Sequence, residues 1–157
     1  MFESIAQAIP TDTIVYGGVV IQIKRLDLVH PQISGNKFFK LKYNFIEAQE
    51  LGLSKILTFG GAYSNHIAAT AFAAYQFGFD SIGIIRGEEL AHQSLNPTLA
   101  TAQHFGMQLQ FVSRQAYREK TNSAFLAQLQ QDYPAHYLIP EGGTNALAIQ
   151  GCQEILT

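Results

Sequence analysis

The sequence predicts an α/β protein, an open parallel sheet flanked by helices in a three-layer αβα arrangement. Three observations carry that expectation. Short apolar runs of strand length alternate with segments whose apolar residues repeat at helical spacing. Helical segments open on Ser64 and Asn96, both residue types that cap free N–H groups, and one closes on Gly78. The strands are separated by enough chain for a crossover helix, so neighbours run parallel through right-handed connections.

In order, residues 13–24 (TIVYGGVVIQIK) read as a hairpin around Gly17-Gly18, and residues 25–36 as a loop broken by Pro31 and Gly35. From Lys37 to about Leu51 a helix is marked by Phe38, Leu41, Phe45 and Ala48, with Gly52 past its end. Residues 55–61 (KILTFGG) form a buried strand, 64–78 an Ala-rich helix and 81–87 a second strand. A helix begins at Asn96-Pro97, a third strand spans 108–113, and a polar-faced helix spans 118–133. Residues 136–140 (HYLIP) are a fourth strand, and EGGTNALAIQGCQEIL leads into a last helix. The hairpin has no evident sheet to join, and the last helix lacks a stop signal. Both features suggest a chain cut from something longer.

Composition narrows the function. Hydrophobic residues make up 47% and charged residues 14%, the balance of a globular chain. A net charge of −2 gives no electrostatic reason to expect nucleic acid or an anionic membrane as partner. No apolar run approaches the roughly 20 residues of a membrane span. The N-terminus lacks a secretory layout, so a cytoplasmic location is expected. The single cysteine, Cys152, excludes an internal disulfide framework, and without Cys or His companions at ligand spacing no metal site is expected. His30, His92, His104 and His136 read mostly as surface residues.

Ligands on parallel sheets bind beyond the carboxyl ends of the strands, which singles out loops 60–64, 87–96 and 141–144. Three segments there or nearby carry chemistry. In SGNKFFKLKYN (34–44), Lys37 stands at a helix mouth, partly enclosed by Phe38 and Phe39. Desolvation, the helix N-terminus and nearby Lys40 all disfavour its ammonium, as a nucleophilic lysine requires. Three lysines in six residues equally suit a solvated basic helix start. In FGGAYSNH (59–66) a strand ends in two glycines and Ser64 opens a helix, so free N–H groups would accept a carboxylate or phosphate, with Asn65 and His66 as further donors. Ser64 also suits a plain helix cap, and the segment is not a dinucleotide fingerprint. In PEGGTN (140–145) two glycines permit close backbone approach to a ligand or simply a turn.

Together KRLDL, SGNKFFKLKY, FGGAYSNH and PEGGTNALAIQG resemble the 1-aminocyclopropane-1-carboxylate deaminase and D-cysteine desulfhydrase family, in the tryptophan-synthase-β-like (fold type II) group of pyridoxal-phosphate enzymes. The resemblance spans about Ile21 to Cys152 and corresponds to the family's N-terminal half. It implies pyridoxal 5'-phosphate as cofactor, a small amino acid as substrate and a homodimer. Lys37 matches the lysine that carries the cofactor as a Schiff base and moves a substrate proton. Lys40 matches a basic residue near the cofactor phosphate. Ser64 matches a serine of carboxylate binding or proton handling, Asn65 the asparagine that hydrogen-bonds the cofactor's 3-oxygen, and His66 completes the carboxylate loop. The resemblance also implies that residues 1–47 belong to a larger domain, 48–140 to a smaller inserted one, and 141–157 to the return. Leu26 departs from the family's usual acid, Phe38-Phe39 from a more polar pair, and His66 leans towards the desulfhydrases. Members run longer and hold the phosphate cup and the pyridine-nitrogen partner in their second half, so weak or no catalysis is expected of these residues alone. The alternative is a truncated, inactive α/β module that binds an amino acid or a partner subunit.

Overall fold

The computed structural model describes residues 1–156. A 3-10 turn at Phe2–Ser4 precedes β1 (Thr11–Tyr16), β2 (Val19–Lys24), a second 3-10 turn (Leu26–Leu28) and α1 (Asn36–Glu50). Then follow β3 (Lys55–Gly61), α2 (Asn65–Phe77), β4 (Asp80–Arg86), a 3-10 turn (Glu88–His92), α3 (Pro97–His104) and β5 (Gln108–Val112). The chain continues through α4 (Arg114–Arg118), α5 (Ser123–Asp132), β6 (His136–Ile139), a 3-10 turn at Glu141–Gly143, α6 (Ala146–Gln153) and a last turn at Glu154–Leu156.

The expected parallel sheet is present, with strand order β5-β4-β3-β6 and every neighbour parallel. The period of two along each strand sorts its side chains between layers. Ile56, Tyr137 and Ile139 face α1 and α2, whereas Leu57, Phe59, Ile82 and Ile84 face Tyr117 and Leu129 of α4 and α5. Ile85 joins Ile67, Leu99 and Met107 on the α2–α3 side. Helix α2 lies low on the sheet because Gly60 and Gly83 leave room; a Cβ on Gly60 would stand 2.4 Å from the Ile67 side chain.

From β3 the chain winds outward through β4 to β5, then returns across the other face to place β6 on the opposite side of β3. The connections leave β3 in opposite directions, so a crevice opens at its carboxyl end, between Gly60–Ser64 and Pro140–Gly143. Sequence periodicity cannot reveal strand order, and this switch point is the fold's main contribution to the site.

The helix expected over 118–133 is shorter, α5 at Ser123–Asp132, because α4 ends at Arg118 and Asn122 caps a new start, its Oδ1 accepting from Ala124 N–H. The hairpin forms with Gly17 and Gly18 at φ +58° and +79°, the left-handed pair a two-residue turn requires. Register pairs Ile14 with Ile21 and Tyr16 with Val19, which puts one apolar face on the ribbon. That face is exposed, with Tyr16 at 78% and Val19 at 61%. Helices α1 and α6 meet closely at Gly151, where a Cβ would lie 2.0 Å from the Phe39 carbonyl oxygen.

Two consequences are testable. Gly151→Ala should separate α1 from α6 and lower unfolding free energy by about 3 kcal/mol in urea titration, the cost of overpacking a tight contact. The exposed ribbon should drive self-association of the 157-residue chain. Ile14→Glu with Ile21→Lys, a cross-strand charge pair, should shift sedimentation velocity profiles to monomer; an unchanged profile would exclude the ribbon as the contact.

Candidate functional site

Gly35 takes φ +63° and ψ −149°, a region open to glycine, and turns the chain so that α1 begins at Asn36. Lys37 then projects from the first turn. The rings of Phe38 and Phe39, expected to enclose it, turn into the core instead, with Phe38 packed edge-on against Phe2 at 5.2 Å. What faces Lys37 is the Glu141–Gly143 turn across the crevice. Its Nζ donates to Gly142 O at 3.4 Å, and Lys40, one helical turn on, donates to Gly142 O at 3.5 Å and to Thr144 Oγ1 at 2.9 Å. Burial first, and the Lys40 charge second, hold the Lys37 ammonium below the ordinary lysine range, while Cys152 acts the other way.

On the opposite wall Ser64 caps α2, its Oγ accepting from Ile67 N–H at 3.4 Å. The plain cap reading and the anion-loop reading therefore coexist, because the remaining first-turn N–H groups stay available. Asn65 is exposed and lines a cleft of about 350 Å³ with Lys37, Asn36 and Ser34. Lys37 and Asn65 thus share one cleft, while Ser64 lines a second, of about 500 Å³, with Gly61, Arg86 and Glu141.

His66 is buried at the crevice floor, 1% exposed. The Thr58 hydroxyl donates its one proton to Ile139 O at 2.8 Å, so at 2.8 Å from His66 Nε2 it accepts. His66 therefore carries its proton on Nε2, and Nδ1 is a buried acceptor with no partner among the described residues. Gly143 is the neighbour that makes room; a Cβ there would stand 3.2 Å from Cε1 and 3.4 Å from Nδ1. Burial, reinforced by Lys37 and Lys40, lowers the imidazole pKa to about 3, so the ring is neutral. The expected side-chain donor towards a ligand is thus spent on Thr58.

Several contributors escaped sequence reasoning. Gly142 acts through its carbonyl, which no side-chain pattern reveals. Thr58 left a trace, one polar residue inside the apolar run KILTFGG. His30, read as surface, is buried, and its Nδ1 accepts from Gln32 and Ile33 N–H groups. Lys42, which a solvated basic helix start would leave in water, is buried and paired with Glu154 at 2.8 Å and Glu3 at 2.6 Å. Among the described residues, no group of three or more His, Cys, Asp or Glu is placed to hold a metal ion, and no helix is long and apolar enough to cross a membrane.

Known proteins are similar to this chain in sequence and in fold. The chain is 30% identical over 141 residues to a bifunctional D-cysteine desulfhydrase/1-aminocyclopropane-1-carboxylate deaminase of Arabidopsis thaliana, covering 85% of this chain and 35% of that protein. It is 29% identical over 143 residues to a D-cysteine desulfhydrase of Yersinia pestis (strain Pestoides F), covering 87% and 42%. The solved structure of an ACC deaminase homologue matches with a TM-score of 0.79 at 26% identity, over 97% of this chain and 47% of the other. A hydrogen sulfide-producing enzyme of Fusobacterium nucleatum, 17% identical, shares the fold with a TM-score of 0.69 over 95% of this chain and 44% of its own. The chain spans less than half the length of these curated relatives. No protein-family model matches it.

The buried imidazole sets a pH dependence. Its folded pKa of about 3 lies below the ordinary 6.5, so the unfolded chain binds a proton that the folded one refuses. This contribution is complete above pH 6.5 and drains as pH falls towards 3. His66→Gln keeps a donor for Thr58 without titrating. Between pH 6 and 4 the wild-type urea stability should therefore fall more steeply than the variant's, by about 1.4 kcal/mol per pH unit; parallel curves would contradict the assignment.

Proposed function

Because the chain belongs by sequence and fold to the 1-aminocyclopropane-1-carboxylate deaminase and D-cysteine desulfhydrase family, matching its N-terminal half, we propose that it supplies the cofactor-bearing lysine and substrate loop of a pyridoxal-phosphate-dependent deaminase or desulfhydrase. The substrate is a small amino acid of the D-cysteine or 1-aminocyclopropane-1-carboxylate type. The observation that carries the reading is Lys37 itself, a half-buried amine whose charge is disfavoured, held at the switch point facing the Gly142 carbonyl.

The residues present fit pyridoxal 5'-phosphate. An unpartnered buried acceptor, His66 Nδ1, lies in the field of two lysines, and Lys37 and Asn65 line one cleft. Lys37 would hold the cofactor covalently through Nζ, Asn65 would hydrogen-bond its 3-oxygen, and Lys40 would lie towards its phosphate. When bound, the cofactor supplies an electron sink for bond breaking at the substrate's α-carbon.

Everything else is the chain's own work. Desolvation raises the fraction of Lys37 present as free amine, which both nucleophilic attachment and later proton removal at the substrate carbon require. Lys40 adds a second positive charge beside Lys37 and is steadied by Thr144. The α2 N-terminus and Ser64 receive the substrate carboxylate through backbone N–H groups. His66 shapes that loop from below, since its Nε2 proton is committed to Thr58. Residues 1–47 and 141–157 form parts of a larger domain around the inserted segment 48–140, a division supported by the α1–α6 contact at Gly151. The exposed ribbon is consistent with a homodimer.

The test is incubation with pyridoxal phosphate, borohydride reduction and peptide mass mapping. The expected result is a pyridoxyl adduct confined to Lys37, absent in Lys37→Ala, with labelling that persists to pH values below the ordinary lysine pKa of 10.5. Label spread over Lys24, Lys55 and Lys120, and unchanged in Lys37→Ala, would overturn it in favour of the non-catalytic module.

A further inference from the structure

Four of the chain's ten lysines and arginines, Arg86, Arg114, Arg118 and Lys120, line one cleft of about 270 Å³. The chain as a whole carries −2, so this concentration runs against its overall charge. The cleft lies at the carboxyl edge of the sheet. Arg86 ends β4, Arg114 follows β5, and Glu141, which also lines the cleft, follows β6. Strand order brings these three points together on the edge where parallel sheets bind ligands.

Its floor is Tyr117, 3% exposed. The ring holds Lys120 Nζ at 4.8 Å and the Arg86 guanidinium at 5.8 Å, and the phenol donates to Glu141 at 2.7 Å. Glu141 also pairs with Lys120 at 3.4 Å, and Glu89 with Arg114 at 2.7 Å. Four cations against these two carboxylates leave a surplus of two positive charges. Among the described residues, neither Arg86 nor Arg118 has a carboxylate within 4.0 Å. Guanidinium groups in excess, steadied by an aromatic floor, match the geometry and charge of a phosphate or carboxylate.

Arg86 also reaches the adjoining cleft of Ser64, passing 3.6 Å from where a Gly61 Cβ would stand. We propose that this cleft is an anion site for a phosphate monoester or carboxylate, next to the Ser64 loop and separate from Lys37. The anion arrives either free or as the side-chain group of an amino acid whose α-carboxylate sits on that loop; the second case rests on the function proposed above.

The test is NMR titration of the 157-residue chain with inorganic phosphate, then with O-phosphoserine. Saturable shifts are expected in the amides of residues 86–90 and 113–120, with Arg86→Ala/Arg118→Ala weakening phosphate binding about tenfold or more. No saturable response, or an equal response in the double variant, overturns the proposal. O-phosphoserine binding about tenfold tighter than phosphate, with shifts extending to residues 61–66, identifies the anion as part of the substrate. Equal affinities identify a free anion. Lys37→Ala leaves phosphate binding unchanged, so failure here and failure of the lysine assignment are read separately.

Discussion

The Thr58 hydroxyl ties together the three elements that make the crevice. It sits in the middle of β3, donates to the carbonyl of Ile139 at the end of β6, and accepts from His66 in the first turn of α2. Because a hydroxyl has one proton, these two bonds put the imidazole proton on Nε2, while burial and the nearby lysines keep the ring neutral. The two bonds also set how far β6 and α2 stand apart at the switch point. Buried polar groups are costly when unpaired, so this fully used hydroxyl specifies one arrangement. Among the described residues two buried side-chain polar atoms go unpaired, the Nδ1 on the far side of the ring and Thr70 Oγ1.

Around that anchor the lysine is presented by packing rather than by local sequence. Phe38 and Phe39 pull the start of α1 into the core with Phe2, and the buried Lys42 pairs α1 with Glu3 and Glu154. Lys37 and Lys40 are left on the face towards the Glu141–Gly143 turn. The same turn is gripped from its other side by Tyr117 and Lys120 through Glu141. One three-residue turn thus stands between the Lys37 cleft and the cationic cleft, with a backbone carbonyl facing one and a carboxylate facing the other.

The chain determined much of this locally. Strand and helix identity follow from side-chain period, the starts of α2 and α3 from Ser64 and Asn96, and the hairpin turn from two adjacent glycines, because each is decided within a few residues. The family motifs likewise mark Lys37, Ser64, Asn65 and His66 as residues of interest. Tertiary structure alone decided which of them meet. Strand order is a long-range property, so the switch point at β3, the approach of Gly142 to Lys37 and the gathering of four cations from the end of β4, from α4 and from the turn after it had no local signature. The burial of His30, His66 and Lys42 also depended on distant partners, since whether a polar side chain faces water is set by what packs over it.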